Sequence, residues 1–428
     1  MNAVRIVLLC GVVAALSGCT LYSHTNHPAP AATTGRPALR ATYDVTADRG
    51  HDDTLVALAL SGGGSRAAYW SAEVMLKLQE VFPDLDLLSE VDVISSVSGG
   101  SLPAAYYTIS NDPGAPTLYG RTWDRRSVEK HMGKNYVARW FGNWFWPTNI
   151  AKFWFTAYDR TDIMAQTFSD NLFDRKPLGT ELKMRDLNPQ RPYLILNAAN
   201  GTNGQFGHLF AFTDEYFATI NSDLGDYSLA RAVMGTATFP AVFNYMTLRD
   251  FTAPNVQPKH YVHVFDGGNF DNLGLSSIER IMDAQPHHDK LVVILVDAYT
   301  DKSGVNSLSS DSRKLLDFVV DTNFLDATDA LLFRNRDQLL AAFRQAIATY
   351  HSGHVIFYHI EFADIDDEAL RYSLNDIPTN FTLKKTARKN LRDAVDRLLT
   401  PDNECLVEIK NLIMLGTNVA NPLCKYRH

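Results

Sequence analysis

The chain has 428 residues, 46% of them hydrophobic and 21% charged, enough to bury a sizeable core in one large domain or two. Its formal net charge of −8 gives no whole-chain reason to expect a nucleic-acid partner. Gly62-Gly63-Gly64-Ser65-Arg66 lacks the spacing and the lysine of a P-loop, no cysteine pair has zinc spacing, and no HExxH occurs.

The amino terminus reads as an export segment. Asn2 to Arg5 is a short polar and basic start, and Ile6 to Leu16 is an apolar run too short to span a bilayer comfortably. Leu16-Ser17-Gly18-Cys19 follows and resembles the bacterial lipobox. The resemblance implies a signal peptide over residues 1–18, lipidation of Cys19, and, with Thr20 rather than Asp next, the outer membrane of a bacterial envelope. The alternative is an ordinary cleaved signal. Residues 19–53, rich in Pro, Ala, Thr and His, read as a flexible tether with a root-mean-square reach of about 30 Å.

The globular part begins near Thr54 and is expected to run to about residue 400. Leu55 to Leu60 is a continuous apolar run, the pattern of a strand buried on both faces. It breaks at the triple glycine, after which Ala67, Ser71, Val74, Met75 and Leu78 form one helical stripe. The glycines therefore make a strand-to-helix turn, where backbone N–H groups can point into a site; a plain tight turn is the alternative. Val91 to Tyr107 repeats the pattern: an apolar run, Ser96-Val97-Ser98-Gly99-Gly100, then helix-forming residues. A serine there is placed as an activated nucleophile or as a helix cap.

Residues 121–160 differ from their surroundings. They hold five of the six tryptophans, and their eight Lys/Arg against three Asp/Glu give 8 − 3 = +5 in a chain of net −8. Aromatic and basic residues together suit a membrane interface or a lipid-lined cleft, while a helical insertion filling its own core is the alternative. Beyond it, strands are expected at Pro192 to Asn197, Tyr261 to Phe265, Leu291 to Val296 and Val355 to Ile360. Helices are expected in the first part of Leu229 to Phe243, near Asp311 to Val320, over Ala330 to Tyr350, and along Ala387, Leu391, Ala394, Val395 and Leu398. Strands alternating with helices argue for a mostly parallel sheet covered on both faces, a three-layer α/β/α fold. In an oxidising compartment Cys405 and Cys424 can form a disulfide that staples the tail, residues 401–428. Its contribution is on the order of 3 kcal/mol, and two buried free thiols are the alternative.

Three turns carry chemistry together: SGGGSRAA at Ser61 to Ala68, SVSGGS at Ser96 to Ser101, and FDGGNFDN at Phe265 to Asn272. In this order, and with LARAVMGTATFPAVF at Leu229 to Phe243, they resemble the patatin-like phospholipase family and the related cytosolic phospholipase A catalytic domains. The resemblance is close from Leu55 to about Tyr299 and looser to Leu399. It implies a serine acyl hydrolase acting on phospholipids or lysophospholipids. Ser98 would be the nucleophile, Asp266 its base, and Gly62, Gly63 and Gly64 the oxyanion loop. Arg66 would attract a substrate phosphate or brace the turn. No metal or organic cofactor is implied. Two departures stand out: Ser96 replaces the first glycine of GxSxG, and Ala67 stands where many members have a further glycine.

Rival assignments remain open in the sequence. Asp271 and Asp297 are other carboxylates after strands, and His351, His354 and His359 come late enough for a histidine-triad esterase. A non-catalytic lipid-binding lipoprotein is a further alternative.

Overall fold

The computed structural model describes residues 24–30, 54–115, 121–173, 181–202, 204–205, 207–240, 242–284, 290–301, 322–350, 354–419 and 422–424. The signal segment, Cys19, most of the tether, the helix expected near 311–320, and His351 lie outside them.

The apolar runs become the strands of one mixed sheet: β1 (Thr54–Leu60), β2 (Val93–Val97), β3 (Tyr193–Asn200), β4 (Leu209–Phe212), β5 (Met246–Arg249), β6 (Tyr261–Asp266), β7 (Lys290–Val296), β8 (Val355–Ile360) and β9 (Leu423–Cys424). Their order is β5-β6-β3-β2-β1-β7-β8-β9, with β4 paired to β3. The centre, β3-β2-β1-β7-β8, is parallel, and its residues are buried on both faces, as the unbroken hydrophobicity requires. The sheet is mostly parallel as expected, and one edge supplies the antiparallel minority: β4 and β6 run antiparallel to β3, and β5 antiparallel to β6.

Helices cover both faces. In chain order, α1 (Gly64–Glu80) and α2 (Ser101–Thr108) follow the glycine and serine turns. Residues 121–160 contribute α3 (Arg125–Met132), α4 (Tyr136–Trp144) and α5 (Pro147–Phe155), and α6 (Arg160–Asn171) follows. Then come α7 (Leu229–Thr236), α8 (Leu275–Ala284), α9 (Thr322–Thr349), α10 (Lys385–Leu398) and α11 (Glu404–Leu415). One core, on the α1 side, takes Leu58, Leu60, Trp70, Ile94 and Leu196. The other, on the α8–α9 side, takes Leu55, Ala57, Ile278, Val293 and Phe343, so alternate residues of each strand feed opposite faces.

Two features of the termini refine the sequence reading. Residues 24–30, inside the stretch read as tether, are seated on the sheet edge. His24 bridges Thr247, Pro28 bridges Ser222, and Asn26 donates to Ser222 Oγ and to the Arg249 carbonyl, each at 2.9 Å. Cys405 and Cys424 are disulfide-bonded, which ties β9 and the start of α11 together at the β8 edge. No helix of the described residues is long and apolar enough to cross a membrane.

Candidate active site

The site forms where β1, β2 and β6 end. After β2 the chain turns at Ser98, whose φ of +48° lies in the left-handed region that non-glycine residues seldom occupy. The bend lifts Ser98 off the strand direction at the entrance to α2. Strain of this kind persists only where the surroundings over-determine it. Here Gly99 presses against the glycine turn after β1: a Cβ at Gly99 would lie 2.1 Å from the Gly64 carbonyl oxygen.

Ser98 Oγ donates to Asp266 Oδ2 at 2.9 Å. Register explains how residues 168 apart meet. Val97 is level with Asn197 on β3, and the next β3 residue, Ala198, is level with Asp266 on antiparallel β6. Asp266 Oδ1 accepts from the Gly268 N–H at 2.8 Å. Burial pushes the Asp266 carboxyl up to about 6, against the opposing pull of the Gly268 and Ser98 hydrogen bonds. A carboxyl so tuned accepts a proton near neutral pH more readily than an exposed aspartate does.

The glycine loop divides its N–H groups. Gly62 N–H donates to the Asn272 carbonyl at 2.9 Å, so it is already committed. The N–H groups of Gly63 and Gly64 have no partner among the described residues. Gly64 has φ +61°, and a Cβ there would meet the Asn380 carbonyl oxygen at 2.4 Å, so only glycine fits. Of the three glycines expected to form an oxyanion loop, Gly62 thus has its N–H engaged, and Gly63 and Gly64 do not. The Asn272 carboxamide, which sequence reasoning passed over, packs against this loop: its oxygen lies 2.2 Å from where a Gly62 Cβ would stand and 2.8 Å from a Gly268 Cβ. Its only sequence signal was its place in FDGGNFDN.

Arg66 braces the loop. It is buried, with Nε donating to the Ala298 carbonyl at 2.8 Å and Nη1 to the Ile377 carbonyl at 2.6 Å. Of the two roles expected for it, bracing is the one these bonds describe.

Ser96 shows why the missing glycine is tolerated. It lies within β2, level with Leu60 and Leu196, and does not itself make the bend. Its Oγ donates to the Ile195 carbonyl at 3.2 Å and accepts from Ser101 Oγ at 3.1 Å, which in turn accepts from Thr236.

The rival groups are engaged elsewhere. Asp271 caps its own turn, accepting from the N–H groups of Leu273, Gly274 and Ser276. Asp297 follows β7 and pairs with Arg336 and His359. His359 sits on β8, three strand spacings or about 14 Å from the strand that carries Ser98. His354 precedes β8 at the opposite end of the sheet. Asp297, His359 and Glu361 converge as metal ligands would, but the Arg336 guanidinium fills the space between the carboxylates, at 2.6 Å from Asp297 and 2.8 Å from Glu361.

The patatin-like phospholipase family model matches residues 58–277, more than half of the chain. No curated protein sequence matches significantly. Among solved structures, human GIVD cytosolic phospholipase A2 aligns with a TM-score of 0.46 at 12% identity, covering 87% of this chain and 62% of that one. The same protein in complex with methyl gamma-linolenyl fluorophosphonate gives a TM-score of 0.43 at 13% identity, with 87% and 61% covered. VipD from Legionella pneumophila aligns with a TM-score of 0.32 at 14% identity, with 81% and 66% covered. The chain thus spans less than two thirds of the length of these structures.

Proposed function

Because the chain belongs to the patatin-like phospholipase family, we propose that it is a lipid acyl hydrolase cleaving carboxylic esters of phospholipids or lysophospholipids through a Ser98 acyl-enzyme. The observation that carries this reading is the 2.9 Å hydrogen bond from a strained Ser98 to a buried Asp266. Ser98 Oγ attacks the ester carbonyl and gives its proton to Asp266. The oxyanion is held by the Gly63 and Gly64 N–H groups, each such donor worth about 3 kcal/mol. The C–O bond to the alcohol breaks, and the leaving oxygen takes the proton from Asp266. Water then attacks the acyl-enzyme, losing its proton to Asp266, and Ser98 is regenerated. Neither step calls on an imidazole.

Anchoring belongs to the same reading. We infer that the export segment is removed and Cys19 lipidated, holding the domain at an outer membrane. With residues 24–30 seated on the sheet edge, the leash from Cys19 to His24 can span at most about 17 Å. The lipidated form is expected to shift in mass by its acyl groups, and Cys19→Ser to abolish that shift. A mature protein whose Cys19 carries no acyl mass would overturn the anchor.

The activity is tested on a lipid panel read by mass spectrometry, with wild type and Ser98→Ala. Wild type is expected to release fatty acid and lysolipid, and Ser98→Ala to lose at least about 10³-fold in rate. A fluorophosphonate should label wild type at Ser98. If folded wild type takes no label, the acyl-enzyme reading fails.

A further inference from the structure

Helices α4 and α5 invert the usual division between inside and outside. Polar Asn149 is buried, its Nδ2 donating to the Asn143 carbonyl at 2.8 Å, and the Asn143 amide donates to Thr167 Oγ1 on α6 at 3.0 Å. The aromatic side chains point outward: Phe145 is 71% exposed, Trp146 62%, Trp154 74% and Phe155 68%. Phe141 and Ile150 are exposed as well. Clustered apolar exposure of this kind marks an interaction surface, since isolated exposed residues are common and a contiguous patch is not.

Charge and chemistry select the partner. Between Tyr136 and Tyr158 the charged residues are Arg139 and Lys152, both exposed, and there is no acid. Tryptophan and phenylalanine beside cations, in a chain of net −8, match the boundary of an anionic bilayer. The hairpin is also continuous with the catalytic end of the sheet. Ring contacts run from Phe153 to Trp144 at 5.3 Å, Trp144 to Trp140 at 5.5 Å, Trp140 to Phe243 at 5.4 Å and Phe243 to Phe381 at 5.6 Å. Next to Phe381, the Asn380 carbonyl accepts the Ser65 N–H of the glycine turn.

A separate contact places the docked amino-terminal segment on the same edge. The root of the hairpin is pinned through Asn244, which bonds Asp159, Arg160 and Thr161. Three residues further on, Thr247 bridges His24. The end of the short leash and the base of the hairpin therefore share one stretch of chain.

We propose that the α4–α5 hairpin inserts its exposed Phe145, Trp146, Trp154 and Phe155 side chains into the headgroup boundary of an anionic bilayer, so that lipid reaches Ser98 along the Trp144–Trp140–Phe243–Phe381 wall. The membrane contact stands on the exposed surface, and the delivery rests on the lipid-hydrolase reading above.

The mature chain from residue 19 with Cys19→Ser removes the export segment and acylation as competing anchors. With vesicles of phosphatidylcholine and phosphatidylglycerol carrying brominated chains, the tryptophan fluorescence of this protein is expected to be quenched. The further changes Trp154→Ser and Phe155→Ser are expected to weaken vesicle binding ~10-fold or more, with an unchanged melting temperature because both side chains are exposed. Vesicles of phosphatidylcholine alone should bind more weakly, and added salt should erode the difference. Equal binding by the variant, or no quenching in the parent, overturns the proposal. So does a concentration-dependent dimer without vesicle binding, which would assign the patch to a second copy. Fluorophosphonate labelling of Ser98 is read in the same samples: its failure would sink the hydrolase reading and leave the membrane contact standing.

Discussion

Asp266 carries a conflict between function and stability. Burial raises its carboxyl to about 6, above the ordinary value of 3.8, so between those values the native state holds a proton that the unfolded chain has released. The native state is then the one that binds more protons, and this group makes stability fall as pH rises from about 4 to about 6. The full effect is about 3 kcal/mol. Asp266→Asn is therefore expected to keep or raise the melting temperature at pH 7 while lowering the hydrolysis rate at least about 10³-fold. Full activity in that variant would remove Asp266 as the base. In the proposed mechanism the ionised carboxylate accepts the serine proton, so the acid limb of kcat/KM in wild type should fall near pH 6. Much of this residue-level pairing was legible in the sequence, since Ser98 and Asp266 each end an apolar run at a glycine turn. Their protonation was not, because desolvation depends on what surrounds the group.

At the scale of elements, β7 and β8 are locked at their carboxyl ends by Arg336 of α9. Its Nε donates to Asp297 at 2.7 Å and its Nη2 to Glu361 at 2.8 Å. Burial alone would raise the Asp297 carboxyl, but His359 and Arg336 outweigh it and hold the group down to about 2. That stability is present above about pH 4 and is lost as pH falls toward 2. Arg336→Ala leaves two carboxylates without their buried counter-charge and is expected to cost about 3–5 kcal/mol, read by denaturant unfolding. A loss below about 1 kcal/mol would show the network to be ornamental. The brace also serves the site. Ala298, the next residue after Asp297, accepts from Arg66 and donates to Ser61 Oγ, so the β7 end supports the glycine turn. Sequence reading found Asp297 at a strand end but had no way to pair it with Arg336, 39 residues away.

Across the whole molecule, the sheet separates two edges with different tasks. The β8–β9 edge is closed by the Cys405–Cys424 disulfide, four strand spacings or about 19 Å from the strand that carries Ser98. Replacing both cysteines by alanine is expected to lower the unfolding free energy by about 3 kcal/mol and leave fluorophosphonate labelling unchanged. A change in labelling rate with no change in stability would contradict this separation. The opposite edge, β5–β6, holds the seated residues 24–30, and the stretch leading into β5 holds the root of the aromatic hairpin.

By itself the sequence determined the strands buried on both faces, the three glycine-marked turns and the family they resemble. Continuous apolar runs, turn residues and helical stripes are local properties with local physical causes. It also marked residues 121–160 as aromatic and basic, while leaving open whether the rings filled a core. Tertiary structure divided that segment: Trp123 and Tyr136 are buried, and the rings from Phe145 to Phe155 are largely outside. Only tertiary structure could set the antiparallel register that brings Asp266 level with Ser98, commit the Gly62 N–H to Asn272, and turn Arg66 inward to Ala298 and Ile377. Each of these depends on which distant backbone group is within about 3 Å, and that is fixed by how the strands and helices close on one another.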